Sequence, residues 1–95
     1  MNLIRPQIRL TVRKDGLETI KVIKIEVPYK PSEDGSERVI SFFLLDKDNL
    51  IVGYQKFDFG TKKYKGEIWI NGIINYIQVY ILTSTKGMWK EEYHI

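Results

Sequence analysis

A nucleophile, a base and an acid are the smallest set of side chains that would make this chain a hydrolase, and the base is already fixed. His94 is the only histidine and stands next to last among 95 residues. Its nucleophile would be Ser32, Ser36, Ser41 or Ser84, with an Asp as third member. None of these serines sits in a G-x-S-x-G elbow, and a histidine at a fraying chain end is poorly held for proton transfer. No catalytic residue is assigned, and the chain is read as a non-enzyme. Glu92 and His94, two apart on one strand face, offer two metal ligands where sites use three or four. Asp46, Asp48 and Asn49 match the start of a calcium loop, but the Gly and closing Glu at their fixed offsets are missing, so a hairpin turn is expected. Cysteine is absent, which removes thiolate ligands and disulfides and leaves the redox compartment open. No metal and no cofactor is expected.

Two non-catalytic constellations remain. The first is basic: Arg5, Arg9 and Arg13 recur every fourth residue, so on a strand they lie roughly 13 Å apart along one face, about two phosphate spacings. Joined by Lys62, Lys63, Lys65 and an exposed Trp69, they would make a basic groove with an aromatic platform for nucleic acid. Against that, the net charge is only +3, and Glu26, Glu33, Asp34, Glu37 and Glu67 dilute the field. An ordinary charged outer face, which also blocks edge-to-edge pairing, is the favoured reading of the stripe.

The second constellation is apolar. One run offers Ile40, Phe42 and Leu44 on one face and Val39, Phe43 and Leu45 on the other, and a later run sets Tyr76, Gln78, Tyr80 and Leu82 opposite Ile77, Val79 and Ile81. In a sandwich only one face of each sheet meets the core. If the two runs are neighbours, the outer face of their sheet carries Ile40, Phe42, Leu44, Tyr76, Gln78 and Tyr80 as a protein interface, unless the loop from Pro28 to Arg38 or a terminus covers it.

The elements that would position these residues are short strands: about Ile4 to Val12, Thr19 to Val27, Val39 to Leu45, Leu50 to Phe59, Tyr64 to Ile70, Ile74 to Leu82 and Met88 to Ile95. Turn residues separate them at Lys14-Asp15-Gly16, Asp46 to Asn49, Gly60 to Lys63, Asn71-Gly72 and Thr83 to Gly87. Pro6 puts the first strand at a sheet edge. In the second, Ile20 and Val22 point away from Ile23, Ile25 and Val27, which calls for a β-bulge near Val22 and Ile23. The third is apolar on both faces apart from Ser41, as a central strand would be.

Seven strands at this spacing predict a single all-β domain over residues 1–95, a seven-stranded antiparallel sandwich of immunoglobulin or fibronectin type. A small closed barrel of the OB or SH3 type is the alternative. The Cys-Trp-Cys signature of antibody domains is missing, while Ile70 to Tyr76 resembles the approach to their tyrosine corner. Ile68 to Leu82 is interrupted by Asn71, Gly72, Asn75 and Gln78 and falls short of the roughly 20 apolar residues of a spanning helix, so a soluble chain without a membrane span is expected. Met1 to Pro6 lacks the apolar core of a signal peptide. Alanine is absent while Ile and Lys abound, which fits an AT-rich genome, and the Lys and Glu content fits a thermophile. The functional expectation is a protein-interaction or assembly module that self-associates or docks a protein partner. A viral or appendage component, or an inhibitor of a host protein, is the biological setting suggested by analogy. A basic nucleic-acid-binding domain is the alternative.

Overall fold

Strict alternation of inward and outward side chains organises the chain into two layers. The computed structural model describes residues 8–17 and 19–95. Its strands are β1 (Arg9–Asp15), β2 (Ile20–Val27), β3 (Val39–Leu45), β4 (Ile51–Lys56), β5 (Tyr64–Asn71), β6 (Tyr76–Thr83) and β7 (Met88–His94). They form two antiparallel sheets, of order β1-β2-β5 and β4-β3-β6-β7. The sheets stay separate, which makes the fold a sandwich and sets the closed-barrel alternative aside. In immunoglobulin constant domains the fourth strand joins the sheet of the fifth, whereas here β4 pairs with β3.

Between the layers, Ile23, Ile25, Val27, Tyr64, Ile68 and Ile70 from the first sheet meet Phe42, Leu44, Ile77, Val79 and Ile81 from the second. Phe57, just past β4, joins the two layers: its ring stands edge-on to Phe42 at 4.7 Å and to Tyr64 at 5.2 Å. Burying each such side chain contributes roughly 1.5–3 kcal/mol. Gly53 of β4 is held against Ile68 of β5 so closely that a Cβ would clash with the Ile68 Cγ2. Only glycine permits that approach of the two sheets.

The irregularities differ from the expected ones. β2 runs in unbroken register against both neighbours, with no bulge at Val22 and Ile23. Lys21 occupies the inward position instead; it is buried and donates from Nζ to the Ile74 carbonyl at 2.7 Å, so its charge ends at the rim of the core. Val22 faces the outer side between Arg13 and Trp69 and is nevertheless fully buried. One bulge sits in β3, at Ile40 between Val39 and Ser41 against β6, and a second in β4, where Val52 is the extra residue opposite Leu44 and Leu45. The first of them lets Val39 and Phe42, three apart, both reach the core.

β1 is an edge strand, as expected; the start proposed at Ile4, with Pro6, lies outside the described residues. β6 begins at Tyr76 rather than Ile74. Hydrogen bonds from the Ile73 and Ile74 amides to Asn71 keep that stretch as the corner between the sheets. The long connection from Pro28 to Arg38 is internally tied by Ser32 and Asp34 and fastened to the β6–β7 turn, with the Arg38 amide donating to Ser84 Oγ at 2.9 Å and Ser84 Oγ to the Ser36 carbonyl at 2.7 Å. The loop therefore closes one end of the sandwich.

Candidate functional site

The outer side of the β4-β3-β6-β7 sheet is where apolar side chains exceed what the interior holds. Because Phe42 and Leu44 point inward, their neighbours Phe43 and Leu45 must point outward. Registered pairing places Tyr54 of β4, Phe43 of β3, Tyr80 of β6 and Lys90 of β7 in one row across the sheet. The three rings lie nearly parallel, 6.2 Å apart at an interplanar angle of 14° from Tyr54 to Phe43 and 5.9 Å apart at 22° from Phe43 to Tyr80. Around them stand Ile51, Leu45, Leu82 and Met88. Tyr54 is 57% exposed, Ile51 68% and Met88 51%.

The residues named for this face from sequence divide in two. Phe42 and Leu44 belong to the core, a correction forced by the bulge ahead of Phe42, and Ile40 is a half-buried residue at that bulge. Tyr76, Gln78 and Tyr80 are on the outer side. Gln78 is buried there as a fastener: its Nε2 donates to the Asp46 carbonyl at 3.0 Å and to Asn49 Oδ1 at 2.8 Å, and its Oε1 accepts from the Tyr80 hydroxyl at 3.4 Å. This amide pins the β3–β4 turn beside the row and holds the central ring of β6. Tyr76 departs from the tyrosine-corner pattern. Its hydroxyl is engaged with Glu92 on β7, and partial desolvation, with that carboxylate next in importance, raises its pKa. Glu92 is lowered by hydrogen bonds from Lys90 and Tyr76, and Lys90, 3.3 Å from Glu92, is raised in turn. The rim of the aromatic row thus carries both signs of charge.

Phe43, Tyr54, Leu45, Ile51 and Met88 were missed from sequence. Ser41 shares parity with Phe43 and Leu45 but is itself buried beside the bulge, so it did not mark the outer set.

The opposite face, on the β1-β2-β5 sheet, is cationic. Arg9, Thr11 and Arg13 project from β1, Lys24 and Glu26 from β2, and Lys65, Glu67 and Trp69 from β5. Arg9 Nη1 lies 3.4 Å from Glu26 Oε1, and Arg13 Nη2 lies 3.8 Å from Glu67 Oε1. Trp69 is 58% exposed and donates from Nε1 to Glu67 at 3.0 Å. Lys62 and Lys63 continue this face beyond the start of β5. Arg5 lies outside the described residues.

The candidate catalytic groups are not brought together. His94 ends β7 beside Tyr76, ring centroids 5.6 Å apart, while Ser36 and Ser84 bond each other at the Met88 end of that strand, roughly 20 Å away at the rise of a strand. Among the described residues no three His, Cys, Asp or Glu side chains converge as a metal site. The Asp46 carboxylate accepts the Asp48 and Leu50 amides, as a turn residue does. No helix of the described residues is long and apolar enough to cross a membrane. Comparison with protein-family models, with curated proteins and with solved structures found no match for this chain.

Proposed function

We propose that this protein is a non-catalytic assembly module that associates with a second copy of itself through the outer face of the β4-β3-β6-β7 sheet. The observation that carries the reading is the row of Tyr54, Phe43 and Tyr80, three near-parallel rings on three adjacent strands of an open sheet face. Aromatic side chains that lose their remaining exposure on association are the usual energetic anchors of interfaces. Charge favours a copy as the occupant. The cationic face would repel itself, whereas the rim of the aromatic row, with Lys56, Lys90 and Glu92, is close to neutral and accepts its own image. Homotypic packing of this kind suits a structural part of a virion or appendage. An inhibitor of a host protein would use the same chemistry against a foreign chain.

Light scattering over a concentration series tests the reading. The expected result is a mass that rises with concentration for the natural sequence and stays monomeric for Tyr80→Glu, a substitution on the outer side that leaves the core intact. A monomer at all concentrations, or identical association by Tyr80→Glu, overturns it.

A further inference from the structure

We infer that the cationic face on the β1-β2-β5 sheet is a groove for single-stranded nucleic acid, a site separate from the apolar face and independent of self-association. Two open concavities adjoin there. One, of about 560 Å³, is lined by Arg9, Thr11, Lys24, Glu26, Lys65 and Glu67; the other, of about 410 Å³, passes Tyr29, Lys30, Lys62, Lys63 and Tyr64. Glu26 and Lys65 border both, so the two form one trough from the face to the end of the sandwich.

The charge lining this trough is mainly positive. Arg9 and five lysines stand against Glu26 and Glu67, six positive charges and two negative, a net of +4 in a chain whose total is +3; the remaining sequence sums to −1. The acidic residues Glu33, Asp34 and Glu37 adjoin the loop end of the trough rather than its strand face: Lys62 lines a further concavity with Glu33 and Asp34, and Tyr29 donates to Glu37. Both carboxylates on the face are already engaged, Glu26 by Arg9 and Glu67 by Arg13 and the Trp69 indole. Lys24, Lys30, Lys62, Lys63 and Lys65 have no ion pair or side-chain hydrogen bond among the described residues. Cations spread along a trough fit a polymer of anions better than one small anion. On β5, Lys65 and Trp69 lie about 13 Å apart on the same side.

Trp69 decides which polymer. It is an exposed indole, oriented by its bond to Glu67, on the face that carries the lysines. A phosphodiester chain with unpaired bases uses both features, one for the backbone and one for stacking. A sulfated glycan offers no unpaired base to stack, and an anionic lipid surface, which could take the indole at its interface, is separated by the vesicle arm of the test below.

Fluorescence anisotropy of a labelled oligothymidine, titrated at salt from about 25 to 200 mM, reads the inference. Binding is expected to weaken steeply with salt. Combining Lys62→Glu, Lys63→Glu and Lys65→Glu should lower affinity at least about tenfold and reduce the log-log salt slope by about 2, since each phosphate of a single strand left without its cation removes about 0.7. Trp69→Ala should cost about fivefold or more with the slope unchanged, the low end for one stacked base. Tyr80→Glu should bind like the natural sequence, which separates this site from the apolar face. Circular dichroism confirms that each exposed substitution leaves the fold in place. No binding at the lowest salt overturns the inference. So does equal capture of heparin or of phosphatidylserine vesicles with no effect of Trp69→Ala, since the face would then recognise charge without bases.

Discussion

Phe42 and Phe43 are adjacent, identical in chemistry and assigned opposite roles, so truncating each to alanine separates core from surface within one dipeptide. Phe42 is fully buried and stands edge-on to Phe57 at 4.7 Å, in the contact that joins the two sheets. Removing its ring leaves a cavity that rigid strands on both sides cannot close, and Phe→Ala at such sites costs about 3–5 kcal/mol. For a domain of this size that corresponds to a fall in Tm of roughly 15–30 °C. Phe43 is half-buried on the outer side. Its truncation removes two cross-strand ring pairs, each worth roughly 0.2–1 kcal/mol, so about 0.5–2 kcal/mol in all. Urea unfolding followed by circular dichroism, at a concentration low enough to keep the chain monomeric, measures both. Phe43→Ala should remain folded and lose self-association, whereas Phe42→Ala should be strongly destabilised. Equal destabilisation of the two, or a reversal of their order, would refute the inward and outward assignment.

Three further outcomes follow from the packing and the loop. Gly53→Ala should destabilise the fold by about 1–3 kcal/mol in urea melts, because its Cβ would press on Ile68 across the sandwich. Tyr29→Phe should cost about 1–3 kcal/mol by the same measurement, because the Tyr29 hydroxyl donates to Glu37 Oε1 at 2.7 Å and the other Glu37 oxygen is buried without a partner. Asp34 is lowered to about 2, chiefly by hydrogen bonds from Ser36 and then from Ser32. A depressed carboxylate stabilises its loop fully above the unfolded value near 3.9 and loses that contribution as pH falls to about 2. The Ser36 amide resonance should therefore titrate with a midpoint near 2, and Asp34→Asn should abolish the transition.

The layered β fold was legible because alternation and turn residues are local properties. Ile77, Val79 and Ile81 point inward as their parity says, and the strand limits of β3 coincide with those read from the chain. The face of β3 was not legible. With aliphatic and aromatic residues at every position but Ser41, parity gives no preference, and a bulge decided by pairing with β6 shifts Val39 relative to Phe42. Ile20 and Val22 misled in the opposite sense: apolar side chains opposite Ile23, Ile25 and Val27 suggested a bulge, yet β2 runs without one, and the inward place falls to Lys21, whose long stem reaches the Ile74 carbonyl. Tyr54 joined the row only through register with Phe43, a long-range fact. The basic face was visible as residue types, but its assembly from β1, β2, β5 and the segment before β5 was hidden, because it rests on long-range strand pairing.

The most direct test of the account is a dilution series by NMR with assigned side-chain resonances. Self-association through the aromatic row requires the signals of Phe43, Tyr54 and Tyr80 to shift together with concentration along one binding curve, while those of Lys24, Lys65 and Trp69 stay fixed. Concentration-independent signals at Phe43, Tyr54 and Tyr80, or shifts confined to the β1-β2-β5 face, would contradict it.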